Sequence, residues 1–415
     1  MFDLREHGFT DCIIHDDMHD LSNNLPHWNK IPRTNIKYTD GKIWEYLKSP
    51  LKDVSGNLYL PALQWEQKLD EGTYGKVYLA QRKIYNSIGS DLSGGRLNFG
   101  STNNKTLQVV VKESPIHLTP EELKASHHTR ERIMNEEAKA LIHEAAVMTL
   151  AHIAVKKAGL EHTVPRVYEI FCHIKPNSQS ISDLNSICIS MEYIHGNTLL
   201  KYMRAHFKRE TVAENDIMFL NFVSQMATIL SILQTTLRMN HRDIKINNIL
   251  LRDRSLNNPV IVLIDYGFAC IANGVQEPHE EMPKIEAGAF FGSRYACFKH
   301  GRDMCQFLYS LHCYFPYDKY LSPQLLELVK PWMMVKYKYG MANLLDGITS
   351  DGYAVEEKGT SLIFDEGIYY FLRRPEVDPL QCSPQRIMDD IAQYKSTLQD
   401  AASKIEAIAG NQPNS

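Results

Sequence analysis

Residues 241–248 read His-Arg-Asp-Ile-Lys-Ile-Asn-Asn, and residues 265–267 read Asp-Tyr-Gly. They supply an acid that can orient an attacking hydroxyl (Asp243), a cation for developing negative charge (Lys245) and two oxygen donors for a divalent metal (Asn248 and Asp265). Phosphoryl transfer asks a protein for that set, because its catalysis is mostly positioning and electrostatic stabilisation. The interval between Asn248 and Asp265 has room for two short strands, Ile249–Arg252 and Val260–Ile264, joined by a polar turn from Asp253 to Pro259. Such a hairpin would carry both metal donors on one rigid support. A polar loop falling by chance between apolar strands is the bland alternative, and the order of the further motifs argues against it.

His-Arg-Asp-x-Lys-x-x-Asn followed by Asp-aromatic-Gly resembles the eukaryotic-type protein kinase superfamily, and the lysine two places after the aspartate resembles its Ser/Thr branch. Leu69-Asp70-Glu71-Gly72-Thr73-Tyr74-Gly75-Lys76-Val77-Tyr78 is similar to the family's glycine-rich loop, with Asp70 in place of the first of three glycines. Glycine lets backbone N–H groups approach phosphate without a Cβ in the way. Gly-x-x-Gly is also an ordinary hairpin turn, and the strand-like runs Trp65–Leu69 and Lys76–Gln81 suit either reading. Leu107–Lys112 is an apolar strand ending in a lysine that matches the family's ATP-anchoring lysine, with Val110 where an alanine is usual. A strand-end lysine that merely snorkels is the alternative.

Lys112 needs a glutamate partner. Residues 135–152 read as a helix in which Val147, Met148 and Ala151 share a face, and Glu144 sits one turn before Met148. Glu144 is preferred on helix register; Glu136 and Glu137 compete, and suit the helix N-terminus better. Ile187–Gly196 resembles the segment linking the two kinase lobes, with Met191 at the back of the adenine pocket. Asp303 opens an apolar helix whose inner face carries Met304, Phe307, Leu308 and Leu311. It resembles the family's central helix, whose aspartate bonds the catalytic-loop backbone; a plain N-cap is compatible with that role. Tyr266 is expected to pack near Met148 and His241.

The resemblance implies an α+β, two-lobed fold: a small antiparallel five-stranded lobe with one main helix, and a larger, mostly helical lobe, with ATP between them. It assigns Leu69, Gly72, Gly75, Val77, Lys112, Glu192, Ile194 and Leu250 to the nucleotide and Asn248 and Asp265 to Mg²⁺. Catalysis falls to Asp243, Lys245, Lys112 and Glu144.

The chain also departs from the family. Phe268 to Gly292 contains no Ser, Thr or Tyr but carries Glu277, Glu280, Glu281 and Glu286. One of these is expected to pair with Arg242, removing the need for a phosphorylated loop; a solvated acidic loop is the alternative. The Ala-Pro-Glu motif is missing. Gly292-Ser293-Arg294-Tyr295 resembles the family's Gly-Thr-x-x-Tyr segment, one residue shorter, with Ser293 replacing the threonine. These features are somewhat similar to casein-kinase-like and vaccinia-related kinases and to divergent kinases of large DNA viruses.

Composition bounds the rest. The chain has 415 residues, 44% of them hydrophobic, and a formal net charge of −4, which gives no global attraction for nucleic acid. Eight scattered cysteines without a Cys-x-x-Cys pair read as reduced, buried thiols in a cytoplasmic or otherwise intracellular setting, host cell or virion included if the source is viral. No secretory signal and no membrane span is expected. The expected divisions are an N-terminal extension at 1–63, a small lobe at 64–195, a large lobe at 196–383 and a C-terminal helix at 384–415. Insertions are expected at 84–106, 113–134 and 174–186. His15-Asp16-Asp17-Met18-His19-Asp20 could bind a metal, though a solvated polar stretch has the better claim. In the C-terminal helix, Ile387, Ile391, Tyr394, Leu398, Ala401, Ile405 and Ile408 alternate at four and three, so a weak homodimer by short coiled coil competes with a helix folded back on the large lobe.

The function expected is ATP-dependent serine/threonine phosphorylation of a protein substrate, with ATP and Mg²⁺ as cofactors. The rivals are a small-molecule kinase, which the missing Ala-Pro-Glu motif favours, and a silent kinase-fold scaffold, which the intact Lys112, Asp243, Asn248 and Asp265 disfavour.

Overall fold

The structure is a computed structural model. It describes residues 63–72, 75–84, 105–115, 144–174 save one position, 184–252, 259–271, 298–337, 340–344 and 377–410, with short pieces at 51–52 and 58–59 and isolated positions elsewhere. The chain divides into two compact units: residues 1–194 with 266–292, and residues 195–265 with 293–415.

The first unit is built on a five-stranded antiparallel sheet. Its strands are β1 (Leu63–Gly72), β2 (Gly75–Ile84), β3 (Lys105–Pro115), β4 (Val167–Ile174) and β5 (Leu184–Glu192), in spatial order β1-β2-β3-β5-β4. Successive side chains alternate between faces. On one face Ala80, Val109, Val111 and Cys188 form a fully buried cluster. The alternate positions Val77, Leu79, Val110, Lys112 and Met191 are only half-buried. The β-branched run Val109-Val110-Val111 suits a central strand covered on one side and open on the other. The expected insertions are narrower than the sequence suggests: Glu113–Pro115 and Leu184–Ser186 belong to strands. Across that ladder the Ser186 hydroxyl donates to Glu113 Oε1 at 2.7 Å.

Helix α1 passes through residues 147–157, with Glu144 and Ala145 one turn earlier. Every position from Val147 to Val155 is buried. The helix runs past the expected end at His152, because the apolar run Ile153-Ala154-Val155 continues it. Its stop is Gly159, whose φ of +76° places it in the left-handed region. Leu160 N–H then donates to Val155 O at 2.8 Å and Gly159 N–H to Lys156 O at 2.9 Å, the paired bonds of a glycine C-terminal cap.

His152 on α1 is buried and donates from Nδ1 to the Val164 carbonyl at 2.9 Å. Desolvation lowers its pKa from the ordinary 6.5, opposed by the Val164 bond and Glu192. The folded state therefore holds His152 neutral while the unfolded chain takes up a proton near pH 6.5. Stability should be fully present above that pH, fall as pH drops toward the lowered folded value, and then level off, with a slope of at most about 1.4 kcal/mol per pH unit from this group. Melting temperature followed from pH 8 to pH 5 should show a shallower acid-side decline in His152→Asn than in wild type; parallel curves would exclude the group as a source.

The second unit contains α2 (Leu199–His206), α3 (Val212–Leu237), the hairpin β6 (Ile249–Arg252) and β7 (Val260–Leu263), α4 (Arg302–Tyr314), α5 (Pro323–Val329), the hairpin β8 (Met334–Tyr337) and β9 (Gly340–Asn343), and α6 (Pro384–Gly410). Against the expectation of no such segment, α3 is long and apolar enough to cross a membrane by length and composition. Polar residues such as Asn215, Asn221 and Gln225 break its run in sequence. Its many buried positions, Phe219, Phe222, Met226 and Leu230 among them, are those of a core helix. The first part of α6 packs on α3: Ile387 and Ile391 are buried, Thr228 Oγ1 lies 3.6 Å from Met388 Sδ, and Asp390 accepts from Trp332 Nε1 at 2.8 Å. The first two positions of the heptad stripe are thus taken by the chain's own core, whereas Leu398 is 51% exposed.

Cys188, Cys305 and Cys382 are free and buried, and burial pushes the Cys188 thiol up to about 12. Two cysteines depart from the expected reduced, buried set: Cys313 is free but exposed, and Cys270 is disulfide-bonded. Residues 1–50, Glu136, Glu137, Glu277, Glu280, Glu281, Glu286 and the 292–295 segment lie outside the described residues, and with them the metal cluster, the Arg242 pairing and the Ser293 substitution.

Candidate active site

In the first unit, β1 and β2 close a hairpin with Gly72 opposite Gly75. Gly75 has φ +151°, and a Cβ there would overlap the Glu113 carbonyl oxygen, so this position requires glycine. Asp70, in place of the first family glycine, accepts from Glu71 N–H at 2.8 Å and pairs with Val77. Leu69 falls at the irregularity between the Lys68 and Asp70 pairings and is 38% exposed. Val77 faces Lys112 across the β2–β3 ladder, and Lys112 faces Ile189 across the next. Lys112 Nζ lies 2.7 Å from Glu144 Oε1, with the two side chains 14% and 4% exposed. A mostly buried ion pair of that length fixes the ammonium at a defined point. Glu192 N–H is already bonded to Arg166 O at 2.8 Å, and Ile194 is buried.

In the second unit, Asp243 is the centre of a polar cluster. Lys245 Nζ sits 3.1 Å from Asp243 Oδ2. Asn248 Nδ2 donates to Asp243 Oδ2 at 2.9 Å and to its backbone carbonyl at 3.0 Å. That use of the amide nitrogen leaves the Asn248 side-chain oxygen as the atom with which it could meet a cation. Burial pushes the Asp243 carboxyl up to about 6, helped by Asp265 and opposed by Lys245 and Asn248. A carboxylate with that value is a more competent proton acceptor near neutral pH than an ordinary one. The β6–β7 hairpin pairs Leu263 with Ile249, and Ile264 N–H donates to Asn248 O at 3.1 Å, so Asn248 is tied to the residue before Asp265. The second strand stops one residue before the expected Ile264. Leu250 pairs with Val262 and bridges to Thr198.

Asp265 has φ +66° and Arg242 φ +70°. Non-glycine residues held there cost roughly 1–3 kcal/mol each and persist only where neighbours over-determine them. Helix α4 supplies those neighbours for Arg242. Asp303 accepts from His241 N–H at 2.8 Å, from Arg242 N–H at 3.0 Å and from Asn240 Nδ2 at 3.2 Å. One turn on, Gln306 Nε2 donates to Arg242 O at 2.9 Å; one further turn on, Ser310 Oγ accepts from Ile246 N–H at 2.9 Å. The N-cap of α4 is Gly301, so Asp303 serves the loop rather than capping its helix. His241 Nε2 donates to Ile264 O at 3.1 Å, tying the loop to the residue before Asp265. Tyr266 is fully buried. Gln306 and Ser310 escape a reading of sequence. Their signal is that both fall on the Asp303 stripe of an otherwise apolar face.

The segment entering α2 is fastened to the same hairpin: Leu251 N–H donates to Asn197 O at 2.8 Å. A Cβ on Gly196 would overlap the Leu251 carbonyl oxygen. Gly196→Ala should therefore cost about 3 kcal/mol, on the order of 6–12 °C in Tm, because the obstacle is backbone rather than a movable side chain. A variant melting within a degree of wild type would show that the two segments can separate freely.

The protein kinase domain family matches residues 156–287. That stretch carries Asp243, Lys245, Asn248 and Asp265, whereas Leu69 to Lys112 and Glu144 precede it. Over that stretch the chain is similar to protein kinase domains, a likeness that supports a phosphotransferase. No curated protein matches it.

Proposed function

We propose that the protein is a serine/threonine protein kinase that transfers the γ-phosphate of Mg-ATP to protein hydroxyls. The observation carrying this reading is the half-buried Asp243 carboxylate with Lys245 and Asn248 upon it and Asp265 following the same hairpin.

The residues present fit both cofactors. Among the described residues no group of three or more His, Cys, Asp or Glu could cage a metal. Mg²⁺ does not ask for a cage, since it binds through one or two protein oxygens together with phosphate and water. Asn248 and Asp265 would hold it. Gly72 and Gly75 would cover the phosphates, at a turn where Gly75 has no space for a Cβ. Leu69, Val77 and Leu250 would flank the base, and the Glu192 and Ile194 backbones would bond it. Bound Mg-ATP supplies the phosphoryl group and neutralises its oxygens. Lys112, held by Glu144, orients the phosphates. Asp243 orients the acceptor hydroxyl and takes its proton, while Lys245 stabilises the charge that develops. Lys245, two places after Asp243, favours Ser and Thr as acceptors. A weak homodimer through α6 would use the stripe from Leu398 onward, and Leu398→Asp followed by light scattering reads it without stripping the core.

The test is ³²P transfer from Mg-ATP by wild type and Asp265→Ala, with casein, a basic protein or no added substrate. Label on protein Ser or Thr in wild type alone supports the reading. No label despite retained ATP binding would move the assignment to a small-molecule kinase or a scaffold.

A further inference from the structure

We infer that residues 201–209 form a docking ridge for an acidic segment of the protein substrate; the inference rests on the protein-kinase reading above. The ridge begins at α2. Leu199, Leu200, Met203 and Phe207 are buried and anchor one side of this segment. Lys201, Arg204, His206, Lys208 and Arg209 are exposed, and no Asp or Glu interrupts residues 199–209. Among the described residues, Lys201, Arg204, Lys208 and Arg209 form no ion pair with a carboxylate. The chain as a whole carries a net charge of −4, so this concentration of cations is local.

Helix electrostatics account for only part of it. Arg204 and His206 lie in the last turn of α2, where a cation complements the helix dipole. Lys201 lies in the first turn, where the dipole disfavours it, and Lys208 and Arg209 follow the helix. The ridge is also rigid. Asn215 is fully buried, and its Nδ2 donates to Lys208 O at 2.6 Å and to Tyr320 O at 2.9 Å, clamping the turn that carries the last two cations. The Tyr202 ring stacks on His206 with centroids 4.0 Å apart and meets Phe222 edge-on. Cations on a fixed backbone lose little freedom when an anionic chain settles on them.

Its position favours a substrate over an unrelated partner. The Asn197–Leu251 bond and the Thr198–Leu250 bridge join the start of α2 to the strand that follows Asn248. The ridge and Asp243 thus belong to one unit and are linked through a single hairpin. A chain whose serine reaches Asp243 can lay flanking carboxylates along residues 201–209, and complementary charge would govern its rate of encounter.

The test compares two synthetic peptides of equal length, each with one serine, flanked either by Asp and Glu or by Gly and Ala. Enzymes are wild type and a variant combining Lys201→Glu, Arg204→Glu, Lys208→Glu and Arg209→Glu, with its fold checked by thermal melting. Wild type should show a KM for the acidic peptide about tenfold below that for the neutral one, and the gap should close as salt rises from about 50 to about 300 mM. The variant should raise the acidic-peptide KM about tenfold and leave kcat for the neutral peptide unchanged. Equal KM values in wild type, or an acidic-peptide KM that the reversal does not move, overturn the inference. Should the fourfold variant unfold, Arg204→Gln with Arg209→Gln gives the same comparison. A fluorescent acidic peptide with alanine in place of serine separates docking from chemistry. If it binds wild type and not the variant while no peptide is phosphorylated, the ridge stands and the protein-kinase reading falls. If poly(U) RNA binds more tightly and displaces the peptide, the ridge serves nucleic acid and the inference fails.

Discussion

Asp243→Asn is expected to lower kcat for phosphoryl transfer by about 10²–10⁴-fold while leaving ATP affinity and the fold intact. The substitution keeps size and shape. Its side-chain oxygen can still accept from Asn248 Nδ2 and Lys245 Nζ, which lie 2.9 Å and 3.1 Å from the carboxylate. What disappears is the negative charge and the proton-accepting capacity. That charge is costly in the folded chain, since burial holds the carboxyl up at about 6. Removing it should leave Tm unchanged or raise it, as happens where a functional group is kept at the expense of stability. Lower kcat together with an undiminished Tm is the signature of a residue retained for chemistry. A kcat within threefold of wild type would remove Asp243 from the mechanism. A fall in Tm matching the fall in activity would reduce it to a structural part.

The half of the candidate site around this residue was largely legible in the sequence, for local reasons. Ile249–Leu251 and Val260–Leu263 are apolar runs on either side of a polar turn, and such a hairpin needs no distant partner to be recognised. Glu144 could be chosen over its rivals because helix register is also local, and its bond to Lys112 spans elements whose periodicity was plain. What could not be read depends on partners far along the chain. Glu113 and Ser186 look like loop residues until they are seen bonded to one another across two strands. The sequence reading ends α1 at His152, whereas its stop, Gly159, lies beyond the further apolar run Ile153-Ala154-Val155. Gln306 and Ser310 read as flaws in an apolar face. Their bonds to Arg242 O and Ile246 N show them to be the reason the face is there.

Those bonds give the second large effect. Asp303→Ala should destabilise the second unit by about 4 kcal/mol, on the order of 8–16 °C in Tm, and remove most activity. Three donors lose the carboxylate at once: His241 N–H and Arg242 N–H, and Asn240 Nδ2, which keeps its bond to Lys299 O at 3.2 Å. Asp303 and Asn240 are fully buried, and so is His241, leaving no water to replace the carboxylate. Each orphaned donor costs roughly 1–3 kcal/mol, although the three belong to one network and will not simply add. Asp303→Asn should be little better, because one carboxylate oxygen becomes an NH₂ facing a backbone N–H. Ser310→Ala is the internal control. It orphans only Ile246 N–H and should cost about 1–3 kcal/mol. The order Asp303→Ala, Asp303→Asn, Ser310→Ala in falling severity follows from counting donors alone. If Ser310→Ala proved as damaging as Asp303→Ala, the loop would be held by packing of α4 rather than by these bonds. Activity should fall further than stability explains, because Arg242 and Asp265 occupy left-handed backbone that relaxes when its restraints go. Measured well below the lowered Tm, Asp303→Asn should still show a reduced kcat; a normal kcat there would mean that Asp243 and Asp265 keep their places without the aspartate.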